Sequence, residues 1–136
     1  MSNKIIRAAF ESRLSTWAAA RVPALPVAFE DVPFTPSGGT YLQAYLLPAT
    51  TDSPDLEGVM RSFVGLFQIN IVTKAGIGRG TAEGIADELA ALFPNNLKLV
   101  KSGVSVFVRS PCSSPAPILD DATSSLPVSF RYRADA

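Results

Sequence analysis

One continuous stretch, from Arg61 to Phe93, constrains the fold more than any other part of the sequence. Side chains of a β-strand alternate between two faces. Between Phe63 and Val72, the apolar residues at 63, 67, 69 and 71 therefore share one face, whereas Gln68 and Asn70 lie on the other. This pattern predicts a central strand with one dry face and one mixed face.

A glycine-rich turn and a helix follow this strand. The turn, from Lys74 to Gly80, contains three glycines, which allow the positive φ angles that a sharp reversal needs. Thr81 is predicted to cap the helix, and Pro94 to end it. One apolar stripe at helical spacing is expected to pack on the dry face of the strand, and it consists of Ala82, Ile85, Ala86, Leu89, Leu92 and Phe93.

The remainder of the chain contains one more helix and several short strands. An apolar stripe through Phe10 and Trp17 predicts a helix over residues 3–21. Two-residue alternation predicts further strands at 26–32, 40–47, 97–100, 103–109 and 126–133, with a polar loop at 49–60 and a long loop at 110–125. Hairpins dominate this order, so we expect an α+β fold: a mainly antiparallel or mixed sheet with two amphipathic helices packed on it.

Composition narrows the possible functions. The 136 residues are expected to form one domain, residues 1–136. The formal net charge is zero, which argues against a general nucleic-acid binder. Histidine is absent, which removes the commonest general base and metal ligand, and the single cysteine, Cys112, has no internal disulfide partner. No segment has the pattern of a signal peptide or a membrane span, so a cytoplasmic protein is expected.

Two stretches were compared with known kinds of chemical site. The run Gly76-Ile77-Gly78-Arg79-Gly80 lacks the lysine of a phosphate-binding loop and matches a dinucleotide fingerprint only in part. The acidic residues of the 49–60 loop lack the ligand ladder of a calcium-binding loop. We therefore expect no catalytic residues, no metal and no cofactor. A small nucleotide-binding domain that uses this turn together with Asp52 and Asp55 is the alternative of a different class.

Several segments together resemble the phage tail terminator-like proteins, the small tail-completion proteins of long-tailed phages. The resemblance rests on residues 6–14, 29–36, 40–42, 67–72 with 76–78, 86–94 and 128–133. It implies a structural virion protein that forms a ring, six-fold in long-tailed phages. Such a ring caps the tail tube, ends its polymerisation and gives the surface that joins the head. Another head–tail joining or baseplate component is the nearest alternative.

The resemblance also implies the partners and the location. The partners would be further copies of this chain, a major tail tube protein and a head–tail connector protein, with no membrane and no specific nucleic acid. The location would be the host cytoplasm during assembly and then the virion tail. Neighbours in a ring meet head to tail, so one chain must carry two complementary surfaces. The charged candidates for subunit or tube contacts are Asp52, Asp55, Glu57, Lys74, Arg79, Arg131 and Arg133.

Overall fold

The computed structural model of the chain describes residues 3–21, 24–30, 32, 34, 39–52, 62–119 and 122–135, with the backbone alone at 50–52. Within these residues there are two helices and a mixed sheet of seven strands, which confirms the predicted α+β class. In chain order the elements are α1 (Asn3–Ala20), β1 (Val27–Phe29), β2 (Tyr41–Asp52), β3 (Ser62–Lys74), α2 (Gly80–Leu92), β4 (Lys98–Lys101), β5 (Val104–Val108), β6 (Ile118–Leu119) and β7 (Thr123–Asp135).

The two longest strands, β3 and β7, form the centre of the sheet. The strand order is β1-β2-β3-β7-β5-β4, and β6 also pairs with β7. Strand β1 runs parallel to β2, and every other pairing is antiparallel. The predicted turn at Ser102 and Gly103 joins β4 to β5, and both residues have positive φ angles, of 51° and 78°.

Both helices pack on one face of the sheet, which we call the inner face. The predicted dry face of β3 is buried there, with Phe67, Ile69 and Ile71 fully inaccessible. Phe10 of α1 joins the layers, since its ring centroid lies 5.1 Å from that of Phe67 and 5.3 Å from that of Phe130 on β7. The predicted stripe of α2 is also buried, with Leu92 only partly so.

Polar contacts hold the two helices together at their edges. The Arg13 Nε donates to the Leu92 carbonyl at 2.8 Å, and Arg21 binds the Glu88 carboxylate with Nε and Nη2. Neither helix of the described chain is both long and apolar enough to cross a membrane.

Three sequence predictions were wrong at the ends of elements. Helix α2 begins at Gly80, and its N-cap residue is Arg79, whose side chain makes no cap hydrogen bond, so Thr81 lies inside the helix. Strand β2 does not end at Pro48 but continues to Asp52, opposite Ser62. Proline is tolerated there because β1 pairs with β2 only as far as Ala44, which leaves this part of β2 at an edge of the sheet.

The third error concerns the predicted loop at 110–125, parts of which pair with β7 and whose last three residues, 123–125, belong to β7 itself. Arg109 N donates to the Arg131 carbonyl, Ser113 and Ser129 exchange both backbone hydrogen bonds, and Ile118 pairs with Ser125. Between these contacts, residues 114–117 leave β7. Pro127 explains the gap. Alternate residues of β7, such as 127 and 129, direct their backbone N–H groups to the same side of the strand, and a proline at 127 has no N–H to donate.

Candidate assembly surfaces

The outer face of the sheet, opposite the helices, is covered at one end and open at the other. At the covered end, Phe34 lies on Tyr41 of β2, with ring centroids 5.1 Å apart. At the open end, Leu47 and Leu66 face each other across β2 and β3 and are 43% and 37% exposed. The two leucines form a small apolar patch that is open to solvent.

A groove at this open end carries a cluster of arginines. Its volume is about 580 Å³, and Ala49, Val64, Leu66, Arg109, Arg131 and Arg133 are among the residues that line it. We call it the arginine groove. Arg131 and Arg133 are consecutive outward residues of β7, and the Arg109 backbone pairs with that of Arg131.

The local contacts of the three arginines differ. Arg133 Nε donates to the Asp135 carboxylate at 3.1 Å, and the Arg109 guanidinium lies 5.7 Å from the centroid of the Phe107 ring. Within the described part of the chain, no carboxylate lies within ion-pair distance of Arg109 or Arg131. The groove is therefore a site of positive potential with an apolar floor.

The predicted basic residues fall into two separate places. Arg131 and Arg133 lie in the groove, where they are joined by Arg109, which was not among the predicted contacts. Lys74 is the last residue of β3 and lies eight residues from Leu66, a distance of about 26 Å along a strand. Lys74 and Arg79 therefore belong to the opposite end of the sheet and cannot form one site with the groove.

The predicted acidic loop is described only at its beginning. The backbone of Asp52 pairs with Ser62, which in turn pairs with Asp135. Asp52 therefore lies at the same end of the sheet as the arginine groove of its own chain. Asp55 and Glu57 lie outside the described residues.

A second acidic surface lies on α2. Glu83 and Asp87 are exposed and lie one turn apart, and the rest of the exposed surface of this helix is small: Gly80, Thr81, Gly84, Ala90 and Ala91. Neither carboxylate was among the predicted contacts. Their common outward face follows from the four-residue spacing and could have been predicted from it.

The glycine turn connects β3 to α2. Gly76 and Gly78 adopt the predicted positive φ angles of 88° and 86°. The cavity that Gly78 lines has a volume of only about 20 Å³. A depression beside it, lined by Arg79, Glu83 and Asp87 with residues 114–117, has a volume of about 370 Å³, at the lower end of the range of about 300–1,000 Å³ for ligand pockets.

A cluster of partly buried ionisable groups lies where α1 meets the edge of β2. Arg7 pairs with Glu30 at 2.9 Å, and the other carboxylate oxygen of Glu30 accepts from the Leu46 backbone N–H at 2.7 Å, at the edge of β2. Burial raises the pKa of Glu11 and that of the Tyr132 hydroxyl, and Arg7 opposes both shifts. In the described chain, no group of three or more possible metal ligands is found.

Cys112 is half-buried against the end of α2. Its Sγ lies 3.9 Å from the Leu89 carbonyl and 3.8 Å from that of Phe93. Burial raises the pKa of this thiol to about 11. The thiolate, the reactive form, is therefore a minor species at neutral pH.

Comparison with known proteins decides the family. A family model described as phage tail terminator protein matches residues 5–132, nearly the whole chain. The chain belongs to the phage tail terminator family. A solved structure that is 49% identical in sequence covers 98% of this chain, and the match covers 96% of that chain, with a TM-score of 0.85. No curated protein sequence matches significantly.

Membership of the tail terminator family confirms the resemblance drawn from the sequence. It makes the chain a phage tail assembly protein of a structural family and a component of the virion tail. The surfaces described above are accordingly candidates for protein contacts.

Proposed function

We propose that this tail terminator protein assembles as a ring, six-fold in a long-tailed phage, on the end of the tail tube. The ring stops the addition of tube subunits and presents the surface to which the head joins. The observation that carries the proposal is the family match over residues 5–132. Its partners are further copies of itself, the major tail tube protein and a head–tail connector protein.

The charge distribution agrees with a head-to-tail assembly. A ring needs two different surfaces on each subunit that fit each other. The arginine groove and the exposed face of α2 carry opposite charge and lie on opposite sides of the sheet. The chain is neutral overall, with 12 basic and 12 acidic residues, so neither surface reflects a general excess of one sign.

Electron microscopy of tails from a phage that lacks this gene tests the function. Without a terminator, tube polymerisation has no stop signal, so the tails should be of uncontrolled length and without heads. Complementation with the wild-type gene should restore uniform tails and is the control. Tails of normal, uniform length in the deletion phage would contradict the proposal, and normal tubes without a baseplate would favour the baseplate alternative.

A further inference from the structure

The arginine groove presents guanidinium groups at a fixed spacing beside an apolar floor. Arg131 and Arg133 are two residues apart on one face of β7, which separates their attachment points by about 6.7 Å. The Arg109 backbone pairs with that of Arg131, so the third guanidinium starts from the next strand. The groove floor beside them is apolar because Val64 and Leu66 line it.

The exposed face of α2 has the matching features. Glu83 and Asp87 are four residues apart in a helix, which separates them by about 6 Å along its axis. The residues around them, Gly84 and Ala90, are small and exposed, so the helix can approach a flat sheet face closely. The charges are opposite to those of the groove, and their spacing along the element is nearly equal.

We propose that the arginine groove of one subunit receives helix α2 of a second copy of this chain. The proposal rests on the proposed ring and names its subunit contact. Since α2 lies on the inner face of the sheet and the groove on the outer face, the same pair of surfaces repeats from subunit to subunit in one direction. This is the head-to-tail geometry that a ring requires.

Charge balance favours a second copy over the other possible occupants. A nucleic-acid surface accompanies a basic excess, whereas this chain has a formal net charge of zero and presents two exposed carboxylates on α2. The exposed Leu47 and Leu66 beside the groove also suit a protein partner. The groove and the helix thus satisfy each other without a further component.

Charge reversal at the centre of each surface tests the proposal. The two variants are Arg131→Glu in the groove and Asp87→Lys on α2, and Lys4→Glu and Ser15→Lys on the exposed surface of α1 are matched controls. Sedimentation velocity at low and high salt measures the concentration at which half of the protein is assembled, alone and with added tail tubes. Circular dichroism checks that each variant is folded.

Each single reversal should raise the half-assembly concentration about tenfold or more at low salt, because it sets like charges against each other. The controls should behave as the wild type. The chain that carries both reversals restores the opposite charges and should recover most of the assembly. An equimolar mixture of the two single variants should also assemble, since in an alternating ring the two unaltered surfaces meet at one contact and the two reversed surfaces, again of opposite charge, meet at the next.

The outcomes separate this inference from the proposed ring. Wild-type assembly by both single variants, or no recovery by the double reversal, overturns the contact and leaves the ring standing. If Arg131→Glu forms rings that fail only to bind tubes, the groove binds the tube protein, and the proposed contact between subunits is overturned. If the wild type binds duplex DNA and Arg131→Glu does not, the groove belongs to a nucleic acid and the proposed contact is overturned. A wild-type chain that is monomeric both alone and on tubes overturns the ring and the contact together.

Discussion

Gly65, the one glycine within the described strands, should not tolerate replacement by alanine. It lies on β3 directly opposite Tyr132, where the inner face of the sheet has no room for a side chain. A Cβ atom at this position would lie 2.5 Å from the Leu47 carbonyl oxygen, 2.7 Å from the Tyr132 hydroxyl and 3.0 Å from the Pro48 Cα. Two of these three atoms belong to the backbone of β2, so rotation of a side chain cannot relieve the clash.

The expected change in stability follows from two opposing terms. Alanine reduces the conformational entropy of the unfolded chain and so stabilises the fold by about 0.4–1 kcal/mol. Overpacking of a close-packed interior costs about 1–3 kcal/mol. Since backbone atoms must move here, the upper part of that range applies, and Gly65→Ala should lower the free energy of unfolding by about 2 kcal/mol.

Urea denaturation at a concentration where the protein is monomeric measures this difference. Gly84→Ala is the matched control, because Gly84 is exposed on α2 with no heavy atom within 4 Å of an added Cβ. There the same substitution should stabilise the protein by about 0.5–1 kcal/mol. A Gly65→Ala protein within about 0.5 kcal/mol of the wild type would refute the close packing of β2 on β3.

A double-mutant cycle with Tyr132→Phe isolates the contact with the hydroxyl. This hydroxyl is buried and makes no hydrogen bond to the described residues, so its removal alone should be nearly neutral or stabilising. In the Tyr132→Phe background, Gly65→Ala should cost less than in the wild type. The clash with Leu47 remains, so recovery should be partial, and strictly additive effects would show that the two residues are not coupled.

Three further predictions concern the core, a buried carboxyl and the acidic loop. Leu89→Ala should cost about 2–5 kcal/mol in urea denaturation, because Leu89 is fully buried between α2 and the sheet. Glu11→Gln should be more stable than the wild type at pH 7, because the pKa of Glu11 is raised in the folded protein and the wild type loses stability as this carboxyl ionises. The gain should vanish when the pH falls below the ordinary pKa of a glutamate, and exposed Glu83→Gln is the control. Reversal of Asp52 and Asp55 to Lys should slow the capping of tubes in low salt if this loop docks on a basic site of a neighbour or the tube, and capping at the wild-type rate would assign no role to the loop.

Alternation within one strand was predictable from the sequence because it reports a local contrast between two faces. The inward residues of β3 were named correctly for this reason, and their burial confirms it. The pattern contains no information about where a neighbouring strand stops. Pro48 therefore looked like a strand end, although the edge position that tolerates it depends on β1 ending at Phe29.

The candidate surfaces were predictable only in part, and the missing part is non-local. Arg131 and Arg133 were predicted as contact candidates, but their convergence with Arg109 depends on the pairing of residues 109 and 131. Lys74 and Arg79, beside the glycine turn, lie at the other end of β3 from the groove. Long-range pairing is what sequence periodicity leaves undetermined.

Strand β7 links the packing of the interior to the presentation of the groove. Tyr132 points inward, with its ring centroid 5.6 Å from that of Phe10, and Arg131 and Arg133 on either side of it point outward. A slip of β7 by one residue would bury both arginines and expose the tyrosine. The core therefore fixes the register of the arginines. Because β7 is also paired on both sides, by β3 and β5, the arginine backbone is held before any partner arrives, and association does not have to order it.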